Sequence, residues 1–119
     1  MSEQASVLEA KPPQQTAEFE RRVTVRYQCS MEASCSSLAP FERLSGRVRD
    51  ISTGGIALVL GTSLRVGIDL VIELKTRTPG IGLTLMARVA HSTFEADGTW
   101  IIGARFLTTP TEEQIEALL

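Results

Sequence analysis

The chain has 119 residues and a formal net charge of −2; 43% of it is hydrophobic but only 5% aromatic. That length fits one domain with a single core built mainly from Leu, Ile and Val. The slightly acidic balance excludes a general nucleic-acid binder, which carries a broad basic surface, and the lack of any apolar run of about 18 residues excludes a membrane-spanning helix.

The opening segment MSEQASVLEAKPPQQ lacks the positive and apolar regions of a secretory signal, so the expected location is the cytoplasm. Residues 1–18 are polar, with Pro12-Pro13 among them and no sustained period. They are expected to form a flexible N-terminal arm ahead of a domain spanning residues 19–119. Val23–Glu32 mixes β-branched and aromatic residues and reads as a strand; Ser34–Pro40, with small residues and a proline, reads as a loop.

Arg43–Asp50 alternates, with Leu44, Gly46 and Val48 on one face, and predicts a half-exposed strand. Thr53-Gly54-Gly55 marks a turn before a short apolar strand, Ile56–Leu60. Ile68–Leu74 alternates again, Thr78-Pro79-Gly80 is a turn, and Ile81–His91 is a long strand with Leu83, Leu85, Ala87 and Val89 on one face. Asp97-Gly98 is a hairpin signal, and Thr99–Leu107 returns with Trp100, Ile102, Ala104 and Phe106 alternating. The period then changes. Thr109 is placed as an N-cap, with Pro110 at the first helical position and Glu112 at the third, and Ile115, Leu118 and Leu119 share one helical face. The sum is a mainly β fold: a six-stranded antiparallel β-barrel with a short C-terminal α-helix and a flexible arm. A barrel leaves no exposed sheet edge.

Cys29 and Cys35 suit a reducing compartment as free thiols. With one distant histidine, His91, they fall short of the roughly four ligands of a structural zinc site, so no metal is expected. No nucleophile–base pair, hydrolase elbow or P-loop is present, and no enzyme and no cofactor are expected. His91 has no partner in view, and Trp100 and Phe106 read as core residues.

Two short segments carry chemistry. Arg22-Val23-Thr24-Val25-Arg26 is an R-x-x-x-R, preceded by Arg21; Asp50-Ile51-Ser52-Thr53-Gly54-Gly55 is a D-x-S-x-x-G. Taken alone, each has a plain reading: solvated charges flanking a strand, and a turn whose Asp and Ser bond to the local backbone. Arg43, Arg47 and Arg49 are equally a solvated face or a widening of the positive field.

Together, in this order, the two motifs resemble those of the PilZ domain family. Gly103-Ala104-Arg105-Phe106 is similar to the family's last-strand G-x-x-F pattern, so the likeness runs from Phe19 to Leu119. It implies a bacterial second-messenger receptor for cyclic di-GMP. By match, the ligand residues are Arg22, Arg26, Asp50 and Ser52, with Gly54 and Gly55 permitting a backbone turn or a close approach. The chemistry suits them: an arginine fork matches the O6 and N7 acceptors of guanine and also suits phosphate, while a carboxylate accepts from guanine N1–H and N2–H. An arginine at the position of Arg21 implies a stacked, intercalated ligand dimer, two ligands per chain, with cation–π contact to a purine. The implied mechanism orders the arm over the ligand and signals to an effector protein. Two rivals stand beside this reading: a ligand-independent PilZ-like protein–protein adaptor, and an oligonucleotide-binding barrel, whose basic groove and stacking aromatics are poorly represented.

Overall fold

A computed structural model of the chain describes residues 25–76, 80 and 82–119. The expected arm over residues 1–18 lies outside the described residues, as do Arg21, Arg22 and the start of the first predicted strand.

Among the described residues seven strands and one helix follow in order: β1 (Tyr27–Gln28), β2 (Glu32–Leu38), β3 (Phe41–Ile51), β4 (Gly55–Leu60), β5 (Asp69–Lys75), β6 (Gly82–Phe94), β7 (Trp100–Phe106) and α1 (Glu112–Leu118). All neighbouring strands are antiparallel. The order β3-β2-β5-β6-β7-β4 closes on itself through the β3–β4 pairing, giving the expected six-stranded barrel. β1 continues along the edge of β3 that β2 occupies, with Tyr27 opposite Ile51 and Gln28 opposite Asp50.

The first predicted strand and the loop after it need correction. Within the described part of Val23–Glu32, Tyr27 and Gln28 form a two-residue strand, and the barrel strand is Glu32–Leu38, most of it where a loop was expected over Ser34–Pro40. The alternation is present but written in small residues: Ala33, Cys35 and Ser37 are 4%, 1% and 1% exposed, while Ser34 and Ser36 face outward. β3 on one side and β5 on the other supply ladder bonds, so tertiary pairing overrides weak β-propensity. The buried Ser37 hydroxyl is satisfied by donating to the Pro40 carbonyl at 2.7 Å.

The other strands follow their predicted alternation except at two register shifts, after Val48 in β3 and after Val89 in β6. Ile51, Ile56, Leu58, Leu70, Ile72, Val89 and Ile102 fill the barrel, joined by Phe106 and by Ile115 and Leu118 of α1. Trp100 is partly buried against this core and meets Phe94 edge-on at 5.1 Å. In the β6–β7 hairpin Gly98 takes φ 90°, and the Asp97 carboxylate accepts from Thr99 N at 3.0 Å and Thr99 Oγ1 at 2.6 Å. Those bonds hold the Asp97 carboxyl below the usual carboxylate range.

The helix forms as expected, but its cap lies two residues later than predicted. Thr111 is the N-cap: its Oγ1 accepts from Gln114 N at 3.0 Å, and Gln114 Oε1 accepts from Thr111 N at 2.9 Å. Pro110 therefore precedes the cap and is buried, as is Ile115 at the fourth helical position, the two places of a hydrophobic staple. Burying those side chains decided between two threonines that local sequence leaves equivalent.

Candidate ligand site

Two β-bulges shape the outer wall of the barrel. On β3 the even-numbered residues Leu44, Gly46 and Val48 are the more buried, and strict alternation would send Asp50 inward with them. The register shifts between Val48 and Asp50, so Arg49 is the extra residue, Ile51 turns inward and Asp50 faces out. On β6 the odd-numbered residues Leu85, Ala87 and Val89 point inward, and a second shift between Val89 and His91 makes Ala90 the extra residue and turns His91 outward.

These two shifts create one transverse row of outward residues. Asp50 lies opposite Ala57, Ala57 opposite Gly103, and Gly103 opposite His91. A polar side chain thus stands at each end of a floor made by two of the smallest residues. At the β4–β7 end Gly55 faces Arg105, and Arg105 in turn faces Arg88. Arg88 is held by Asp69, with Nε to Oδ1 at 2.7 Å, which lowers the Asp69 carboxyl from its ordinary range. A cleft of about 270 Å³ opens on this wall, lined by Arg26, Ser52, Gly54, Gly55, His91, Gly103 and Arg105 among others.

Both described parts of the predicted motifs meet here. Arg26 donates from Nε to Asp50 Oδ1 at 2.9 Å, adds a second bond from Nη2 to the same oxygen, and reaches Ser52 Oγ from Nη1 at 3.4 Å. The Arg26 side chain is 52% exposed and that of Asp50 18%. The reach is set by Tyr27 and Gln28, whose pairing to Ile51 and Asp50 fixes the chain beside the turn. The Tyr27 hydroxyl also donates to Glu116 Oε2 of α1 at 3.3 Å. Partial burial pushes the Tyr27 phenol up, and the Glu112 and Glu116 carboxylates add to that.

Ser52 is 1% exposed and organises the turn. Its Oγ accepts from Gly54 N at 3.2 Å and Gly55 N at 3.3 Å, while Ser52 N donates to Gly55 O at 2.9 Å. The two glycines differ. A Cβ on Gly54 would meet only Ser52 Oγ, at 3.9 Å, whereas one on Gly55 would lie 2.5 Å from the Ala104 carbonyl oxygen. Gly55 is therefore required by the approach of the β7 backbone. The turn reading of this motif and its place in a cleft coexist.

His91, Gly103, Ala57 and Arg105 also line the cleft and lie outside both linear motifs. Bulges are invisible to alternation, and Gly103 inside an apolar strand is the one local sign of close packing. A Cβ on Gly103 would lie 2.8 Å from His91 Cδ2 and closer still to Nε2 and Cε1, so the imidazole occupies the space a side chain would take. Cys29 is half-buried and Cys35 buried, both as free thiols. Burial pushes the Cys29 thiol up, with a further push from Asp50, and raises that of Cys35 to about 11. Among the described residues no group of His, Cys, Asp and Glu could hold a metal ion, and no helix is long and apolar enough to cross a membrane.

Solved structures with the same fold include Bacillus subtilis MotI/DgrA, an inhibitor of motility, at TM-score 0.63 and 21% identity, covering 82% of this chain and 48% of that one. The chain thus spans about half the length of that protein. The PilZ domain of Escherichia coli YcgR, solved with c-di-GMP, matches at TM-score 0.59 and 19% identity over 82% of this chain and 86% of that one. The K. pneumonia MrkH–c-di-GMP complex matches at 0.52 and 18%, over 80% of this chain and 47% of its own. No curated protein matches the sequence significantly. A model of the PilZ domain matches residues 15–119, taking in the whole barrel, both site motifs and the terminal helix, and the chain belongs to the PilZ domain family.

Proposed function

We propose that this protein is a cytoplasmic cyclic di-GMP receptor and not an enzyme. The observation that carries the reading is the convergence of Arg26 on Asp50 and Ser52 beside a cleft that Arg26 and Ser52 line. The YcgR and MrkH neighbours, solved with c-di-GMP, support it. Asp50 accepts from guanine N1–H and N2–H. Arg26 and Arg22 supply forks for guanine O6/N7 and for phosphate, and Ser52, Gly54 and Gly55 form the rigid turn beneath them.

The Arg26–Asp50 pair must open or rearrange to admit ligand. A half-exposed ion pair is worth at most about 1 kcal/mol, whereas each bidentate guanine contact brings roughly 1–3 kcal/mol. The exchange therefore favours the ligand. Arg21 stacks on a purine and brings two ligands per chain. The segment carrying Arg21 and Arg22 orders over the ligand, which costs conformational entropy but presents a new surface to an effector protein.

Isothermal titration with cyclic di-GMP tests this. Wild type should bind with two ligands per chain, and Arg22→Ala and Asp50→Ala should each abolish or sharply weaken binding. Folded wild-type protein that gives no heat with cyclic di-GMP refutes the receptor reading; one ligand per chain refutes the role of Arg21 alone.

A further inference from the structure

We infer that His91 is a ligand-contacting wall of the cleft, stacking on the guanine base that Asp50 holds by its edge. The inference rests on the receptor reading above and adds a residue to it. His91 stands opposite Gly103 in the β6–β7 ladder, and both face outward. Its imidazole covers Gly103, which leaves that glycine buried although it points away from the core. The ring is thus braced from below by backbone, while His91 as a whole remains exposed and lines the cleft.

The spacing suits a base. Neighbouring strands lie about 4.8 Å apart, so Asp50 and the ring drawn over Gly103 are separated by roughly two strand spacings, or about 10 Å. Between them lies only Ala57, a partly exposed methyl group. A purine over Ala57 can present its hydrogen-bonding edge to Asp50 while its far end lies over the imidazole face. A solvated histidine would need neither the bulge at Ala90 nor a glycine across the ladder. A wall built to a fixed height needs both, since any Cβ at position 103 displaces the ring.

Titration of cyclic di-GMP into five variants tests the assignment, with thermal unfolding of each ligand-free protein as the control. Loss of one base–aromatic stack weakens binding about tenfold. His91→Ala should show that loss with an unfolding midpoint close to wild type. His91→Phe, which keeps a flat ring, should bind within about threefold of wild type, whereas His91→Gln, which keeps polarity without a ring, should bind like His91→Ala. Gly103→Ala should weaken binding in the wild-type background and add little in the His91→Ala background, because both act through the ring. Wild-type affinity in His91→Ala overturns the assignment and leaves the receptor reading intact. His91→Gln binding as well as His91→Phe overturns the stacking role. No binding by folded wild type overturns both.

Discussion

Arg26 and Asp50, 24 positions apart in the chain, are joined by an Nε–Oδ1 hydrogen bond of 2.9 Å. The pair spans the boundary between the short β1 segment and the bulged end of β3. Its guanidinium is half exposed, so solvent screens it. A double-mutant cycle with Arg26→Ala and Asp50→Ala, read by urea unfolding of ligand-free protein, should give a coupling of less than about 1 kcal/mol. The same substitutions should cost cyclic di-GMP affinity far more. A coupling of several kcal/mol would mark the pair as structural.

Ser52, itself buried, accepts from the backbone N–H groups of Gly54 and Gly55. Ser52→Ala leaves those donors to find other partners, which costs about 1–3 kcal/mol of stability. Ser52→Thr keeps the hydroxyl but adds a methyl group to a closed site. Chemical denaturation should rank wild type above both. An alanine variant as stable as wild type would show that the turn is held by its backbone alone.

Gly55→Ala and Gly54→Ala should differ although the residues are adjacent. The first drives a methyl group into the Ala104 carbonyl oxygen at 2.5 Å, and overpacking of that kind costs roughly 1–3 kcal/mol. The second enters open space and should change stability by less than about 0.5 kcal/mol. Equal losses in the two variants would contradict the strand crowding seen at β7.

The helix cap gives a similar pair. Thr111→Ala removes the acceptor for Gln114 N and should cost about 1 kcal/mol. Thr109→Ala should stay within about 0.5 kcal/mol of wild type. The reverse ranking in thermal or urea unfolding would place the cap at Thr109.

Cys35, 1% exposed, has its thiol raised by burial from an ordinary 9.0 to about 11. Below pH 9 the thiol is protonated in folded and unfolded chains alike. Between about pH 9 and 11 the unfolded chain loses the proton and the folded one does not, so stability falls as pH rises, by at most about 2–3 kcal/mol. Urea unfolding at pH 8 and pH 10.5 should show a smaller alkaline loss in Cys35→Ala than in wild type. In the folded protein at pH 8, Cys35 should resist iodoacetamide.

Much of this architecture was legible in the residues. Leu70, Ile72 and Leu74 alternate, Asp97-Gly98 closes a hairpin, and the change of period after Thr109 announces a helix. Those signals are local, because period and turn chemistry act over a few residues. The pairing of R-x-x-x-R with D-x-S-x-x-G likewise survives as a linear pattern, and it pointed to Arg26, Asp50 and Ser52 together. What the residues determined by themselves was a barrel with a capped helix and the composition of one ligand motif. The tertiary structure decided the rest. It made a strand of Glu32–Leu38 because β3 and β5 flank it, and it moved the cap to Thr111 because Pro110 and Ile115 needed burial. It also inserted Arg49 and Ala90 as bulges. A bulge answers to the registers of neighbouring strands, which no single segment encodes, and a shift of one residue exchanges inside for outside. By that shift Asp50 and His91, each in line with an inward face by simple alternation, came to stand on the same outer wall.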